Sequence, residues 1–231
     1  MSVNTISIII PVLNEEQQIG EIIKKLWNRQ SGNVKEILVV DGGSEDRTVE
    51  VAKSAGATIV HSERGRAKQM NSGAEKANGE LLYFLHADTV PPDYYDQEII
   101  NAIESGFDFG CFRLQFDWDQ PLLNFYSWFT RFRYTGLRFG DQSLFVEKHV
   151  FEKSGGFDES LIVMEDQEIY RRLHLKGEFY LSEQYVTTSA RKYKKTGPFK
   201  LQFFFTLIWL GYYGGIKQNT LVNFYKRFIL P

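Results

Sequence analysis

His86, Asp88, Glu165 and Asp166 are the side chains whose types and spacing most readily suggest chemistry in this sequence. His86-Ala87-Asp88-Thr89 places three polar side chains within four residues, directly after the apolar run Leu81–Leu85. A carboxylate there could help to hold a hard divalent cation. Magnesium and manganese often take only one or two protein carboxylates and complete their shell with phosphate and water oxygens. The same tetrapeptide also reads as a solvated turn in which Asp88 caps the next helix. Glu165-Asp166-Gln167-Glu168 is a second acidic stretch. Its charges suit a helix N-terminus on dipole grounds alone; they could equally supply a carboxylate general base for a hydroxyl nucleophile held within hydrogen-bond reach.

The elements that must position these groups follow from the apolar pattern. Short, nearly continuous apolar runs at Ile6–Val12, Glu36–Val40 and Leu81–Leu85 read as strands buried on both faces, and Ala57–Val60 as a short third strand in chain order. Between them, Ile19, Ile22, Ile23, Leu26 and Trp27 recur at helical spacing, preceded by Asn14 and Gln17 in the pattern of a capping box. A second helix follows Glu45-Asp46 and stops near Gly56, and a third is expected over Arg66–Asn78. Strands alternating with helices imply a parallel sheet with right-handed crossovers. With the first and fourth strands adjacent and the second and third outward from the first, Pro11–Glu15, Asp41–Ser44 and His86–Thr89 emerge at one crevice, the topological switch point where open α/β sheets bind ligands. A nucleotide-binding half-domain is the leading reading.

The kind of nucleotide is narrowed by missing motifs. No G-x-G-x-x-G follows the first strand and no G-x-x-x-x-G-K-[ST] occurs, which argues against dinucleotide oxidoreductases and P-loop enzymes. A bound diphosphate must then be met by a metal and by basic side chains such as Arg66, Lys68 or Arg191.

Beyond Pro92, the pattern gives a helix over Tyr94–Glu104, a strand over Phe109–Phe116, an aromatic helix over Pro121–Tyr134 and a short strand over Gln142–Val146. Helices follow over Glu147–Ser154 and Met164–Lys176. Aromatic stripes are usually core, though Pro121–Tyr134 could instead line an acceptor pocket or meet a membrane. The run Arg191–Lys195 is by default a solvated one. Phe199–Gly215 is the most hydrophobic segment, yet its uninterrupted part falls short of the ~20 residues that span a bilayer. It reads as a helix packed on the domain, lying at a membrane surface, or forming a contact in a homodimer.

The 231 residues fit one large domain, divided here into residues 1–195 and a helical appendage, 196–231. A net charge of −2 gives no electrostatic case for nucleic acid. A single cysteine, Cys111, excludes an intrachain disulfide and a cysteine-rich zinc site, and favours a reducing, cytoplasmic compartment. MSVNTISIIIPVLNEE lacks the basic n-region of a signal peptide.

SIIIPVLNEE, ILVVDGGSEDRT, GRAKQMNSGAEKANGELLYFLHADT, GDQSLFV, GGFDE and MEDQE, in that order, resemble glycosyltransferase family 2. The arrangement is also similar to that of a bacterial subgroup labelled arsenosugar-biosynthesis-type glycosyltransferases. The resemblance implies an α/β GT-A fold, Rossmann-like, with a mostly parallel central sheet flanked by helices. It also implies inverting transfer from a nucleotide sugar, with a UDP- or GDP-sugar donor, Mn2+ or Mg2+, and a small-molecule or lipid-linked acceptor.

Carried over by position, Pro11, Asn14, Glu15 and Asp41 with Gly43 surround the nucleoside, aided by Arg66, His86, Ala87 and Arg191. Asp88 is the metal carboxylate of the D-x-D slot, and Asp166, seconded by Glu165, is the base. His86 departs from the family pattern, which has aspartate there. Two competing readings are a non-catalytic nucleotide-sugar-binding relative and a sugar-1-phosphate nucleotidyltransferase; for the latter, Pro11–Glu16 lacks both the glycine-rich segment and the basic residue expected after the first strand.

Overall fold

The computed structural model describes residues 5–229. Its first half alternates β1 (Ile6–Val12), α1 (Ile19–Arg29), β2 (Val34–Asp41), α2 (Thr48–Ser54), β3 (Thr58–His61), α3 (Arg66–Lys76) and β4 (Leu81–Phe84). Then come β5 (Thr89–Val90), α4 (Tyr95–Glu104), β6 (Phe109–Phe116) and α5 (Pro121–Trp128). Short 3-10 turns lead to β7 (Leu144–Glu147), α6 (Lys148–Ser154), α7 (Glu165–Leu173), β8 (Phe179–Thr188), α8 (Arg191–Thr196), α9 (Pro198–Tyr213) and α10 (Gln218–Phe228).

One eight-stranded sheet has the order β3-β2-β1-β4-β7-β6-β8-β5. The first four strands pair in parallel, as their alternation with helices requires. The second half is mixed: β7 runs antiparallel to both β4 and β6, β6 and β8 are parallel, and β5 closes the edge antiparallel to β8. β1, β2 and β4 separate two apolar clusters. Ile8, Ile10, Val39 and Tyr83 face α1 and α4, whereas Ile9, Leu38, Val40 and Leu82 face α3 and α6. Burial on both faces explains why these strands are continuous apolar runs rather than alternating ones.

Several sequence expectations are corrected. Asn14 and Gln17 form no capping box; α1 begins at Ile19 with Gln18 as its N-cap, and Asn14 adopts φ 55°. Asp88 does not cap α4, whose N-cap is Tyr94. The Pro121–Tyr134 stripe is not core. Only Leu123 is buried in α5, and Phe125, Trp128, Phe132 and Tyr134 stay exposed. Arg191 is not simply solvated, because it ion-pairs with Glu15. β5, β8 and α10 are additional elements. Phe199–Gly215 is largely α9, which packs with α10 in a third cluster around Leu201, Ile208, Leu221 and Val222.

Gly73 sits inside α3 where that helix lies on β1 and β2. A Cβ there would come within 2.5 Å of Ile9 Cγ2 and 2.9 Å of Val40 Cγ2. Helix propensity favours alanine over glycine by about 1 kcal/mol, whereas overpacking a closed core costs about 1–3 kcal/mol. The clash should win. Gly73→Ala is expected to lower the midpoint of thermal unfolding, and an unchanged or raised midpoint would show that α3 can shift off the sheet.

Candidate active site

The parallel register of β1, β2 and β4 brings their carboxyl ends to one edge, where the polar residues collect. Along β1 and β2 the edge is tied together by side chains. Gln69 of α3, buried, donates from Nε2 to the carbonyls of Val12 and Val40, both at 2.8 Å. Asn14 accepts from the Glu45 N–H at Oδ1, and its own N–H donates to Ser44 Oγ. The Glu15 N–H donates to Thr48 Oγ1 at 2.7 Å. Asp41 is 4% exposed, and its carboxylate accepts from the N–H groups of Gly43 and Ser44. Its carboxylate is therefore engaged in shaping its own turn. Pro11 is half-buried on β1 beside it.

The β4 end carries the rest. Arg191, first residue of α8, donates from Nη2 to both carboxylate oxygens of Glu15 at 3.0 Å and lies 3.5 Å from Asp88 Oδ2. One guanidinium thus joins two carboxylates from different strand ends, geometry that suits the planar, permanently charged fork of arginine. The Asp88 carbonyl accepts from the Ser189 N–H, fixing α8 against this turn. Ala87 is buried in the core and could face a ligand only through its backbone. Asp41 and Gly43 lie two strands from Asp88, with β1 between them.

Across the crevice stands α7. Glu165 is 2% exposed at its side chain and is held by Arg66 at 3.1 Å, whereas Asp166 is 17% exposed with Arg66 at 3.8 Å. Burial and then the neighbouring Asp166 charge push the Glu165 carboxyl up to about 7, against the pull of Arg66. Arg66 is partly desolvated although its side chain is 41% exposed, and the charges of Glu165 and Asp166 outweigh that and raise its pKa above the ordinary value. The two acidic residues are therefore unequal. Glu165 is sequestered on an arginine, and Asp166 is the one open to the crevice.

His86 links the two sides. Its Nδ1 lies 2.9 Å from Asp141 Oδ1. Burial and the Arg66 charge oppose a proton on His86, but the hydrogen bond and charge of Asp141 outweigh them and raise its pKa. In turn, partial desolvation disfavours the Asp141 anion, whose side chain is 44% exposed, but His86, Lys192 and Arg66 hold its carboxyl down at about 2. Gly140 separates this pair from the base candidate. A Cβ at Gly140 would lie 2.2 Å from Asp166 Oδ2 and 2.8 Å from His86 Cε1, so only glycine lets the two approach.

Asp141, Gly140 and Gln69 were not singled out from the sequence. GDQSLFV carried a resemblance, but nothing in its spacing indicated that Asp141 would meet a histidine 55 residues earlier. Among the described residues no three His, Cys, Asp or Glu side chains gather to hold a metal. Asp88 alone suits a hard cation that shares its remaining positions with ligand and water oxygens.

Comparison with known proteins finds relatives in sequence and in fold. Glucosyl-3-phosphoglycerate synthase of Mycolicibacterium smegmatis is 30% identical over 98 residues, covering 38% of this chain and 32% of that protein. Undecaprenyl-phosphate 4-deoxy-4-formamido-L-arabinose transferase of Pseudomonas paraeruginosa is 28% identical over 116 residues, covering 46% and 34%. This chain thus matches about a third of the length of either relative. A mannosyltransferase from Pyrobaculum calidifontis, solved with GDP-Man and Mn2+, shares the fold at a TM-score of 0.67 and 16% identity, over 88% of this chain and 64% of that one. The family model for glycosyl transferase family 2 matches residues 7–155, well over half of the chain. The chain belongs to glycosyl transferase family 2.

Proposed function

We propose that this chain is an inverting transferase that moves a sugar from a nucleoside-diphosphate sugar to an acceptor hydroxyl, with Asp166 as the base. The observation that carries the reading is the inequality of the α7 pair: Glu165 is buried on Arg66, while Asp166 keeps part of its side chain exposed. Asp166 takes the acceptor proton as the acceptor oxygen bonds to the anomeric carbon. The bond from that carbon to the diphosphate breaks on the opposite face, and the nucleoside diphosphate leaves. One base with no enzymic nucleophile inverts the centre, unlike retaining glycosidases, which set a second carboxylate as nucleophile.

Glu165 acts by pairing with Arg66, which holds the start of α7 in place and offsets the Glu165 charge beside Asp166. Arg191 stands beside Asp88, where the charge of a departing diphosphate would develop. Asp88 would hold a divalent cation, Mn2+ or Mg2+, together with diphosphate oxygens. When bound, that cation supplies Lewis-acid neutralisation of the leaving group. Mn2+ and GDP-Man in the Pyrobaculum mannosyltransferase support this choice of ligand chemistry. The nucleoside would lie along Pro11, Asn14, Glu15 and the Asp41–Gly43 turn, with His86 and Ala87 beside it and residues 1–195 forming the transferase unit. An acceptor attached to a lipid is in keeping with the undecaprenyl-phosphate transferase among the relatives. With such an acceptor, the enzyme would work at the cytoplasmic face of a membrane.

A thermal-shift screen of nucleoside-diphosphate sugars with and without Mn2+ tests the donor assignment, since a ligand that binds only the folded state raises the midpoint by mass action. A rise with one donor that depends on Mn2+ is expected; no rise with any of them would contradict it. Asp88→Asn is expected to abolish Mn2+-dependent binding of a nucleoside diphosphate in calorimetry, and equal affinities would remove Asp88 from the site. Asp166→Asn is expected to lower kcat about a hundredfold or more, the usual scale for a general base, with little change in donor affinity. Near-normal turnover by that variant would hand the role to another group.

A further inference from the structure

We propose that α5, the aromatic turn after it and α9 form a face that docks on an anionic lipid surface, presenting a membrane-borne acceptor to Asp166. The acceptor clause rests on the transferase reading above; the docking face does not.

Beyond Lys200 and Gln202 near its start, α9 carries apolar side chains on every face, a pattern that ordinarily means burial in a core or passage through a bilayer. Here it does neither. Its inner side, Leu201, Ile208 and Gly211, packs against α10, while Phe199, Phe203 and Leu210 are 54–73% exposed. At 16 residues it is about 24 Å long, short of the ~30 Å hydrocarbon thickness. No helix among the described residues is long and apolar enough to cross a membrane. α5 packs beside α9, and Phe125, Trp128 and Phe132 on it and the following turn are 43–56% exposed. Large aromatics left uncovered on two adjacent elements make up the apolar part of an interfacial surface.

Charge selects the partner. Residues 190–231 contain eight Lys or Arg and no Asp or Glu, and residues 120–140 contain three and none. The chain as a whole is at −2, so its acidic excess lies entirely outside these two segments. Lys192, Lys195 and Lys200 are exposed where α8 runs into α9. Bases flanking an exposed apolar face complement anionic headgroups. A neutral apolar partner would have no use for them.

The face is also braced on the catalytic helix. Trp209 Nε1 donates to the Gly136 carbonyl at 3.0 Å, and Gln167 Nε2 donates to the same carbonyl at 3.1 Å. Tyr213 Oη donates to Gln167 Oε1 at 3.0 Å. Gln167 follows Asp166 directly, and the loop through Gly136 continues to Gly140 and Asp141. A surface that seats α9 is therefore within one residue of the base.

The test is flotation with vesicles of phosphatidylcholine alone and of phosphatidylcholine mixed with phosphatidylglycerol, at low and high salt. Donor binding with Mn2+ is measured in parallel by calorimetry, and mass by light scattering. The expected result is flotation with the anionic vesicles at low salt only. The pair Lys195→Glu and Lys200→Glu should lose at least about tenfold in partitioning, as should Phe199→Ser with Phe203→Ser. Donor binding and circular dichroism of both variants should be unchanged. A protein that stays at the bottom at low salt, floats equally on neutral vesicles, or forms a dimer abolished by Phe203→Ser in place of flotation would overturn the proposal. Flotation without any donor binding would overturn the transferase reading and leave the docking face standing.

Discussion

Strands β1, β2 and β4 are buried on both faces, and this constraint shapes everything else in the molecule. Between its ends, a strand with apolar neighbours above and below has no place for an ionised side chain, because an unpaired buried charge is too costly; the charges of β2, Lys35 and Glu36 at its start and Asp41 at its end, sit where that strand enters and leaves the core. Ser7, near the start of β1, is fully buried, and its hydroxyl donates to Glu36 near the start of β2 at 2.7 Å. Charge is thereby confined to where the strands enter and leave the core. Parallel pairing puts those exits on one edge, and a crevice of carboxylates follows.

Carboxylates crowded at one edge repel one another unless cations are placed among them. Two arginines do this from opposite sides. Arg191 joins Glu15 to Asp88, and Arg66 holds Glu165 beside Asp166. Arg191 closes a separation of 176 residues, fixing the first loop to the helix that leads into α9. His86 with Asp141 lies between these groups. The carboxylate absent from position 86 thus has a counterpart contributed by a distant loop.

What could be read from the sequence divides along physical lines. β1, β4, α1 and the order of the first four strands were legible, because fully buried strands and amphipathic helices impose short-range periodicities. Asp88 and Glu165-Asp166 were legible because each ends or begins such an element. The Asp141–His86 pair, the Gln69 bridge and the need for glycine at 140 depend on contacts between segments far apart, which no local pattern encodes. β8 escaped because Phe179–Thr188 mixes glutamate, glutamine, serine and threonine with its apolar residues, diluting the strand signal. The aromatic stripe of α5 misled for a simpler reason: periodicity tells that a face is apolar, and not what covers it.

We infer that Asp166 is the one base and that no enzymic nucleophile takes part. The most direct test is the configuration of the first-formed product, followed by proton NMR as the enzyme turns over an α-linked nucleoside-diphosphate sugar with Mn2+. Water can serve as acceptor, so the natural acceptor need not be known. The β anomer appearing first, with the α form growing in only by slow mutarotation, is the expected result. The α anomer appearing first would mean retention, and would contradict the assignment of Asp166 as the lone base.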